Sequence, residues 1–135
     1  MKTRKINVSI TGCLGRMGQQ LIKSAVKDKR FKINSLTENK KQTKKIFGIL
    51  PKLNSPESFK KSDIIIDFTV PKCTLEVLKI ATKQKKRVII GTTGFTLKEE
   101  KLIQKISKKI PILKAGNMSL GINLLMYLTE IASKS

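Results

Sequence analysis

The amino-acid sequence predicts an α/β fold, a doubly wound parallel sheet in a single domain. Three observations predict it. Strand-like stretches alternate along the chain with stretches whose apolar residues recur every three to four positions. The later strand-like stretches, at 63–69 and 87–91, are continuous apolar runs of the kind found in strands covered on both faces. Near the start, an alternating strand pattern runs straight into three glycines spaced three apart, Gly12, Gly15 and Gly18. At 135 residues the chain is long enough for one ordinary core and too short for two.

Ile6, Val8 and Ile10 alternate with Asn7 and Ser9, the period of a strand, and Thr11 leads into Gly12. Glycines lack the Cβ that would obstruct a tight turn, a close approach of backbone to a phosphate, and the packing of the next helix on the strand. From Arg16 the spacing becomes helical, with Met17, Leu21, Ile22, Ala25 and Val26 on one face. Residues 31–36 read as a second strand, and Glu38 stands just past its end. Residues 39–54 are polar and lysine-rich, with Gly48 and Pro51 as breakers, which predicts a loop holding at most a short element around 46–50. Ser55 then caps a short helix that opens on Pro56 and runs to about Lys61. A third strand covers 63–69, a helix from Pro71 runs to about Lys85, and a fourth strand covers 87–91. Thr96 and Glu99 have capping-box spacing at the head of a helix over 97–108. A fifth strand covers 111–115 and a turn 116–119, after which Ser119 caps a last helix whose Ile122, Leu125, Leu128, Ile131 and Ala132 share a face.

The formal charge is +20, from 29 Lys and Arg against 9 Asp and Glu. A nucleic-acid-binding surface gathers such charge on one face and interleaves aromatics that stack on bases. Here the lysines are spread over helix surfaces and loops, as Lys98, Lys101, Lys105 and Lys108 are, and the aromatics are five Phe and one Tyr, scattered. The expectation is a solvated lysine surface that attracts anions without selecting a nucleic acid. Cys13 and Cys73 have neither metal-site nor disulfide-framework spacing, so both are expected to be small, reduced core or turn residues, with no metal site. No run reaches the roughly 18 to 20 apolar residues of a membrane span. The first residues, Met1-Lys-Thr-Arg-Lys-Ile, enter a strand where a signal peptide would carry an apolar block, so a soluble cytoplasmic protein is expected.

In an open parallel sheet, ligands bind beyond the carboxyl ends of the strands. The turns at Gly12 to Gly18, Glu38, Asp67 to Thr69, Gly91 to Gly94 and Ala115 to Ser119 all fall there, on one rim. A helix N-terminus after the first turn offers N–H groups and a positive dipole end to a phosphate. Glu38, 20 residues after Gly18, stands where a dinucleotide-binding βαβ unit places an acid that accepts from the adenosine ribose hydroxyls. The glycine spacing is Gly-x-x-Gly-x-x-Gly and not the commoner Gly-x-Gly-x-x-Gly, so a bare structural turn and a solvated loop acid are competing readings.

Four segments in order, Gly12-Cys-Leu-Gly-Arg-Met-Gly18, Ile66-Asp-Phe-Thr69, Gly91-Thr-Thr-Gly-Phe95 and Gly116-Asn-Met-Ser-Leu-Gly-Ile-Asn123, resemble the N-terminal domain of the 4-hydroxy-tetrahydrodipicolinate reductases, formerly dihydrodipicolinate reductases. The resemblance runs from about Ile6 to the end. It implies a Rossmann-type fold and NADH or NADPH as cofactor, in an enzyme that makes tetrahydrodipicolinate on the route to diaminopimelate and lysine. By motif, Gly12, Cys13, Leu14, Gly15, Arg16 and Met17 would surround the pyrophosphate, and Glu38, with Asn39 beside it, would hold the adenosine ribose. Phe68, Gly91, Thr92 and Thr93 would face the nicotinamide half, and Ala115, Gly116, Asn117 and Met118 would close its far side, from which residues 119–135 lead toward a second domain.

That second domain would hold the small-molecule substrate and build the homotetramer typical of the family. The family's His-His-x-x-x-Lys-x-Asp-Ala-Pro-Ser-Gly-Thr-like stretch has no counterpart here, and the chain contains no His. No catalytic residue is therefore expected within these residues, which are expected to be inactive alone. Asp67 and Lys114, the remaining charged groups on the rim, read as a strand-end acid and a solvated lysine. The position after Glu38, commonly an Arg that can meet the 2′-phosphate of NADP, is Asn39. Aspartate and homoserine dehydrogenases have a similar first turn, but Gly91-Thr-Thr-Gly94 argues against them.

Overall fold

The alternating pattern at the start of the chain forms β1 (Ile6–Thr11), a central strand in the computed structural model, which describes residues 4–133 apart from the side chain of Leu120. Residues 1–3 of the expected strand entry and 134–135 of the expected last helix lie outside the described residues. The other elements are α1 (Arg16–Lys27), β2 (Phe31–Glu38), β3 (Lys52–Leu53), α2 (Pro56–Phe59), β4 (Ile64–Asp67), α3 (Pro71–Lys83), β5 (Arg87–Ile90), α4 (Leu97–Ser107), β6 (Ile112–Lys114) and α5 (Leu120–Ser133). The strands form one six-stranded sheet in the order β3-β2-β1-β4-β5-β6, and every neighbouring pair is parallel. The chain thus winds outward from β1 to β3 and returns to the other side of β1 at β4. The expected doubly wound Rossmann-type sheet is present, and its order reverses between β1 and β4.

Alternation along the strands divides the core in two. Ile65 of β4 and Val88 and Ile90 of β5 point to the α3 and α4 side, where they pack with Phe59, Val77, Leu78, Ala81, Ile103 and Ile110. Val8 and Ile10 of β1 and Leu36 of β2 point the other way and pack with Cys13 and with Ile22 of α1. Full burial of a side chain such as Ile22 or Leu78 contributes about 1.5–3 kcal/mol, so each layer is held mainly by apolar contact.

Several expectations needed correction. A sixth strand, β3, lies in the segment read as loop, because Lys52 and Leu53 pair with Thr37 and Glu38. Two residues leave no periodicity to read. Ahead of it, Ile46 and Ile49 bond reciprocally across Phe47 (φ 47°) and Gly48 (φ 77°), a tight antiparallel turn. Glu38 is the last residue of β2 and not a loop residue beyond it. On α1 the buried line is Gly18 and Ile22, with Leu21 and Ala25 partly buried, whereas Met17 and Val26 are about half exposed. Strands are not all covered twice: Leu113 of the edge strand β6 is 60% exposed. Every described side chain of α5 is exposed, including Ile122, Leu125, Leu128 and Ile131.

Candidate functional site

The crevice at the reversal of strand order is built by the turn after β1 and the loop after β4. Gly12 has φ 69°, the left-handed region that suits glycine, and an added Cβ would lie 2.7 Å from Phe68 O and 2.8 Å from Thr69 Cγ2. The turn therefore sits directly against the Phe68–Thr69 backbone. Gly18 serves another purpose: a Cβ there would lie 2.1 Å from Gly12 O and 2.8 Å from Cys13 Cα, so only glycine lets α1 rest on the turn. The first turn of α1 carries no acidic residue and its N-cap, Gly15, makes no side-chain cap bond. Gly15 itself lines the crevice, so the positive dipole end of α1 starts beside it, the arrangement that suits phosphate.

Glu38 reaches this turn from β2, and its Oε1 accepts the Leu14 N–H at 2.7 Å. A cavity of about 400 Å³ is lined by Gly12, Leu14, Gly15, Glu38, Asn39, Phe68, Thr69, Val70 and Cys73. Six of the expected site residues thus share one cavity. Thr69, Val70 and Cys73 join them without having been named for it; Thr69 stood in the quoted motif, and the other two follow from the head of α3 bordering the crevice. Cys13 is fully buried behind the turn, and burial first, then the Glu38 charge, pushes its thiol up to about 12. Both cysteines are reduced, as expected, and burial also raises the Cys73 thiol. Arg16 and Met17 are exposed at the start of α1, outside the cavity lining.

The rest of the expected site lies along the same rim. A Cβ on Gly91 would lie 2.1 Å from the Phe68 ring, so that ring covers Gly91. Thr92 is buried and its Oγ1 accepts the Thr69 N–H at 2.9 Å, while Thr93 is exposed. The Ala115 N–H donates to Ile90 O at 3.4 Å, Gly116 and Met118 are exposed, and Asn117 Oδ1 accepts the Ser119 N–H at 2.9 Å. Ser119 stands at the head of α5, its carbonyl accepting the Asn123 N–H at 3.0 Å. Lys114 is not the solvated lysine expected: its Nζ pairs with Glu100 Oε1 at 2.8 Å and lies 5.3 Å from the Phe95 ring centroid. Asp67 is the strand-end acid expected, and it is fully buried.

Residues 6–118 match the family model described as dihydrodipicolinate reductase, N-terminus. The chain belongs to the dihydrodipicolinate reductase family. It is 70% identical over 132 residues to the 4-hydroxy-tetrahydrodipicolinate reductase of Pelagibacter ubique (strain HTCC1062), covering 98% of this chain and 51% of that protein. It is 41% identical over 141 residues to the same-named enzyme of Buchnera aphidicola subsp. Baizongia pistaciae (strain Bp), covering 96% and 52%. The chain spans about half the length of these relatives. A dipicolinate-bound dihydrodipicolinate reductase from Paenisporosarcina sp. TG-14 shares the fold, with a TM-score of 0.78 and 23% identity over 96% of this chain and 54% of that one. A Staphylococcus aureus homoserine dehydrogenase shares it less closely, at a TM-score of 0.65 and 19% identity over 82% and 32%. Among the described residues no helix is long and apolar enough to cross a membrane, and no group of His, Cys, Asp and Glu could hold a metal.

The dinucleotide of a reductase family fits the residues present. The left-handed Gly12 turn, the α1 N-cap Gly15 and Glu38 border one crevice, which suits the pyrophosphate and ribose of a dinucleotide.

Proposed function

We propose that these residues are the NAD(P)H-binding domain of a 4-hydroxy-tetrahydrodipicolinate reductase, which reduces the dipicolinate precursor to tetrahydrodipicolinate on the route to diaminopimelate and lysine. The observation that carries the reading is Glu38 meeting the glycine turn through Leu14 N–H at the point where the strand order reverses. The turn amides and Arg16 take the pyrophosphate, Glu38 the adenosine ribose, and Phe68, Gly91, Thr92 and Thr93 face the nicotinamide, which supplies the hydride. The segment from Ala115 to Met118 closes that side, and α5 leads to the domain that holds the small-molecule substrate and assembles the enzyme into a homotetramer.

NADH binds at least as tightly as NADPH, because Glu38 repels a 2′-phosphate and Asn39 offers no cation. The setting is cytoplasmic, and the dispersed lysines select no nucleic acid. Titration with NADH, followed by nucleotide fluorescence, and with duplex DNA at two salt concentrations tests the reading. Saturable NADH binding that survives added salt, beside DNA binding that collapses with it, supports the proposal. Salt-resistant DNA binding with no response to NADH overturns it.

A further inference from the structure

Asp67, the last residue of β4, is wholly buried behind the crevice and lies outside the set expected to touch the cofactor. Its carboxylate nevertheless gathers hydroxyls from four separate stretches of chain. Thr11 Oγ1, at the end of β1, and Thr69 Oγ1, at 2.7 Å, donate to Oδ1. Thr74 Oγ1, in the opening turn of α3, and Thr92 Oγ1, at 3.3 Å, donate to Oδ2. The Asp67 carbonyl also accepts the Gly91 N–H at 2.8 Å.

Three of these threonines adjoin the rim residues: Thr11 precedes Gly12, Thr69 follows Phe68, and Thr92 follows Gly91. A carboxylate only accepts, so each hydroxyl donates to it. Thr92 Oγ1 also accepts the Thr69 N–H, and the acid, Thr92 and Thr69 form a closed ring across two turns. The turns are also in steric contact, since the Phe68 ring covers Gly91 and the Phe68 carbonyl abuts Gly12. Displacing one of them displaces the others.

We propose that Asp67 is the positioning residue of the cofactor rim: one carboxylate holds the glycine turn, the Phe68–Thr69 loop and the Gly91–Thr92 turn in the mutual arrangement that the dinucleotide contacts. This rests on the cofactor-binding reading above. A carboxylate suits the place because it accepts only, with room for about four donors. An amide of the same shape does not. It has one accepting oxygen where the carboxylate has two: with its NH2 toward Thr74 and Thr92, Thr74 can turn its proton to Val70 O, 3.3 Å away, but Thr92 loses its acceptor, and with its NH2 toward Thr11 and Thr69 both must swing to the distant carbonyls of Ile66 and Val70, each 3.4 Å away, so either way two of the four hydroxyls give up donation to residue 67.

The test compares Asp67→Asn, Thr74→Val, Thr74→Ser and a core control, Val77→Ala, whose side chain is buried between α3 and the sheet away from the rim. NADH affinity and amide hydrogen exchange are measured well below each variant's melting temperature. Asp67→Asn weakens NADH binding at least tenfold and speeds exchange of the Thr69 amide at least tenfold, with the Ile65 and Ile66 ladder amides unchanged. Thr74→Val moves both readouts in the same direction, Thr74→Ser restores them, and Val77→Ala lowers the melting temperature while leaving Kd unchanged. Folded Asp67→Asn with wild-type Kd and wild-type Thr69 protection overturns the proposal, as does an equal loss of affinity in Val77→Ala. Should Asp67→Asn fail to fold, Thr74→Val decides by the same criteria. A wild-type chain that ignores NADH retires the cofactor reading, and Thr69 exchange still decides whether Asp67 clamps the rim.

Discussion

Glu38 Oε1 accepts the Leu14 N–H at 2.7 Å, so an acid 24 residues downstream braces the glycine turn from the end of the next strand. The carboxylate is thereby oriented toward the space above the turn before any ligand arrives. Replacing it removes both the brace and the ribose acceptor. A hydrogen bond to a charged group contributes about 1.5–3 kcal/mol, which corresponds to roughly tenfold to a hundredfold in affinity. Glu38→Ala is expected to weaken NADH binding within that range in a fluorescence titration, and an unchanged Kd would remove Glu38 from the site.

Gly12 combines a left-handed backbone with a wall of backbone atoms where a Cβ would go. An L residue in that conformation costs about 1–2 kcal/mol before the contact with Phe68 O is counted. Gly12→Ala should therefore lower the melting temperature by at least about 5 °C and abolish measurable NADH binding in the protein that remains folded. Gly12→Val, with its branched side chain, should do so more severely. Circular-dichroism melts read the first effect and titration the second; a Gly12→Ala protein with wild-type melting and binding would refute the geometry given for the turn.

Strand, turn and helix at residues 6 to 27 were legible because apolar period and glycine spacing are local signals. The capping box at Thr96 and Glu99 was legible for the same reason, and both reciprocal bonds form. Burial on the second face of β1 was hidden. Ser9 and Thr11, the polar positions between and after its apolar ones, are both fully buried, with Ser9 bonded to Ser35 at 2.7 Å and Ser62 at 2.5 Å and Thr11 bonded to Asp67. Hydroxyls that satisfy one another across 26 and 53 residues of chain leave no trace in periodicity. The Lys114 pairing with Glu100 was hidden likewise, since charge alone does not tell a solvated lysine from one bridged to a helix. Of the site, the turns and Glu38 came from spacing, whereas Val70 and Cys73 entered only once α3 was placed beside the crevice.

The Cys13 thiol is held at about 12, against an ordinary value of 9.0, by burial and by the Glu38 charge. At pH 8 the thiolate is then about one part in ten thousand, and the thiolate is the reactive form. Cys13 should resist thiol reagents in the folded protein and react only after denaturation. The linkage has a definite sign: the folded thiol keeps its proton while the unfolded one loses it above pH 9, so stability falls as pH rises from 9 toward 12. Denaturant melts at pH 8 and pH 10.5 should show a steeper loss for the wild-type chain than for Cys13→Ala; parallel losses would mean the thiol is not held protonated.

Cofactor choice turns on the stretch after Glu38. Asn39, Lys40, Lys41, Lys44 and Lys45 are all exposed, so any lysine help to a 2′-phosphate acts through solvent and is screened by salt. NADH is expected to bind at least as tightly as NADPH, and raising the salt from 50 to 300 mM should weaken NADPH more than NADH. A tenfold NADPH preference, about 1.4 kcal/mol, would show that a lysine has taken the place of the missing cation at Asn39.

Hydride transfer to a carbon acceptor needs that carbon held against the nicotinamide and a group that supplies a proton as the electrons arrive. Asp67 and Lys114, the charged side chains at the ends of β4 and β6, are both committed elsewhere. Asp67 is buried beneath four threonine hydroxyls, and Lys114 is paired with Glu100 against Phe95. The sequence contains no His to act as the acid. Positioning alone accounts for roughly 7 to 11 kcal/mol of such a barrier. The 135 residues by themselves are therefore expected to bind NADH without consuming it when the dipicolinate precursor is added. The absorbance of NADH followed over hours in the presence of that precursor reads the outcome, and steady turnover would mean that Asp67 or Lys114 leaves its partners to do the chemistry.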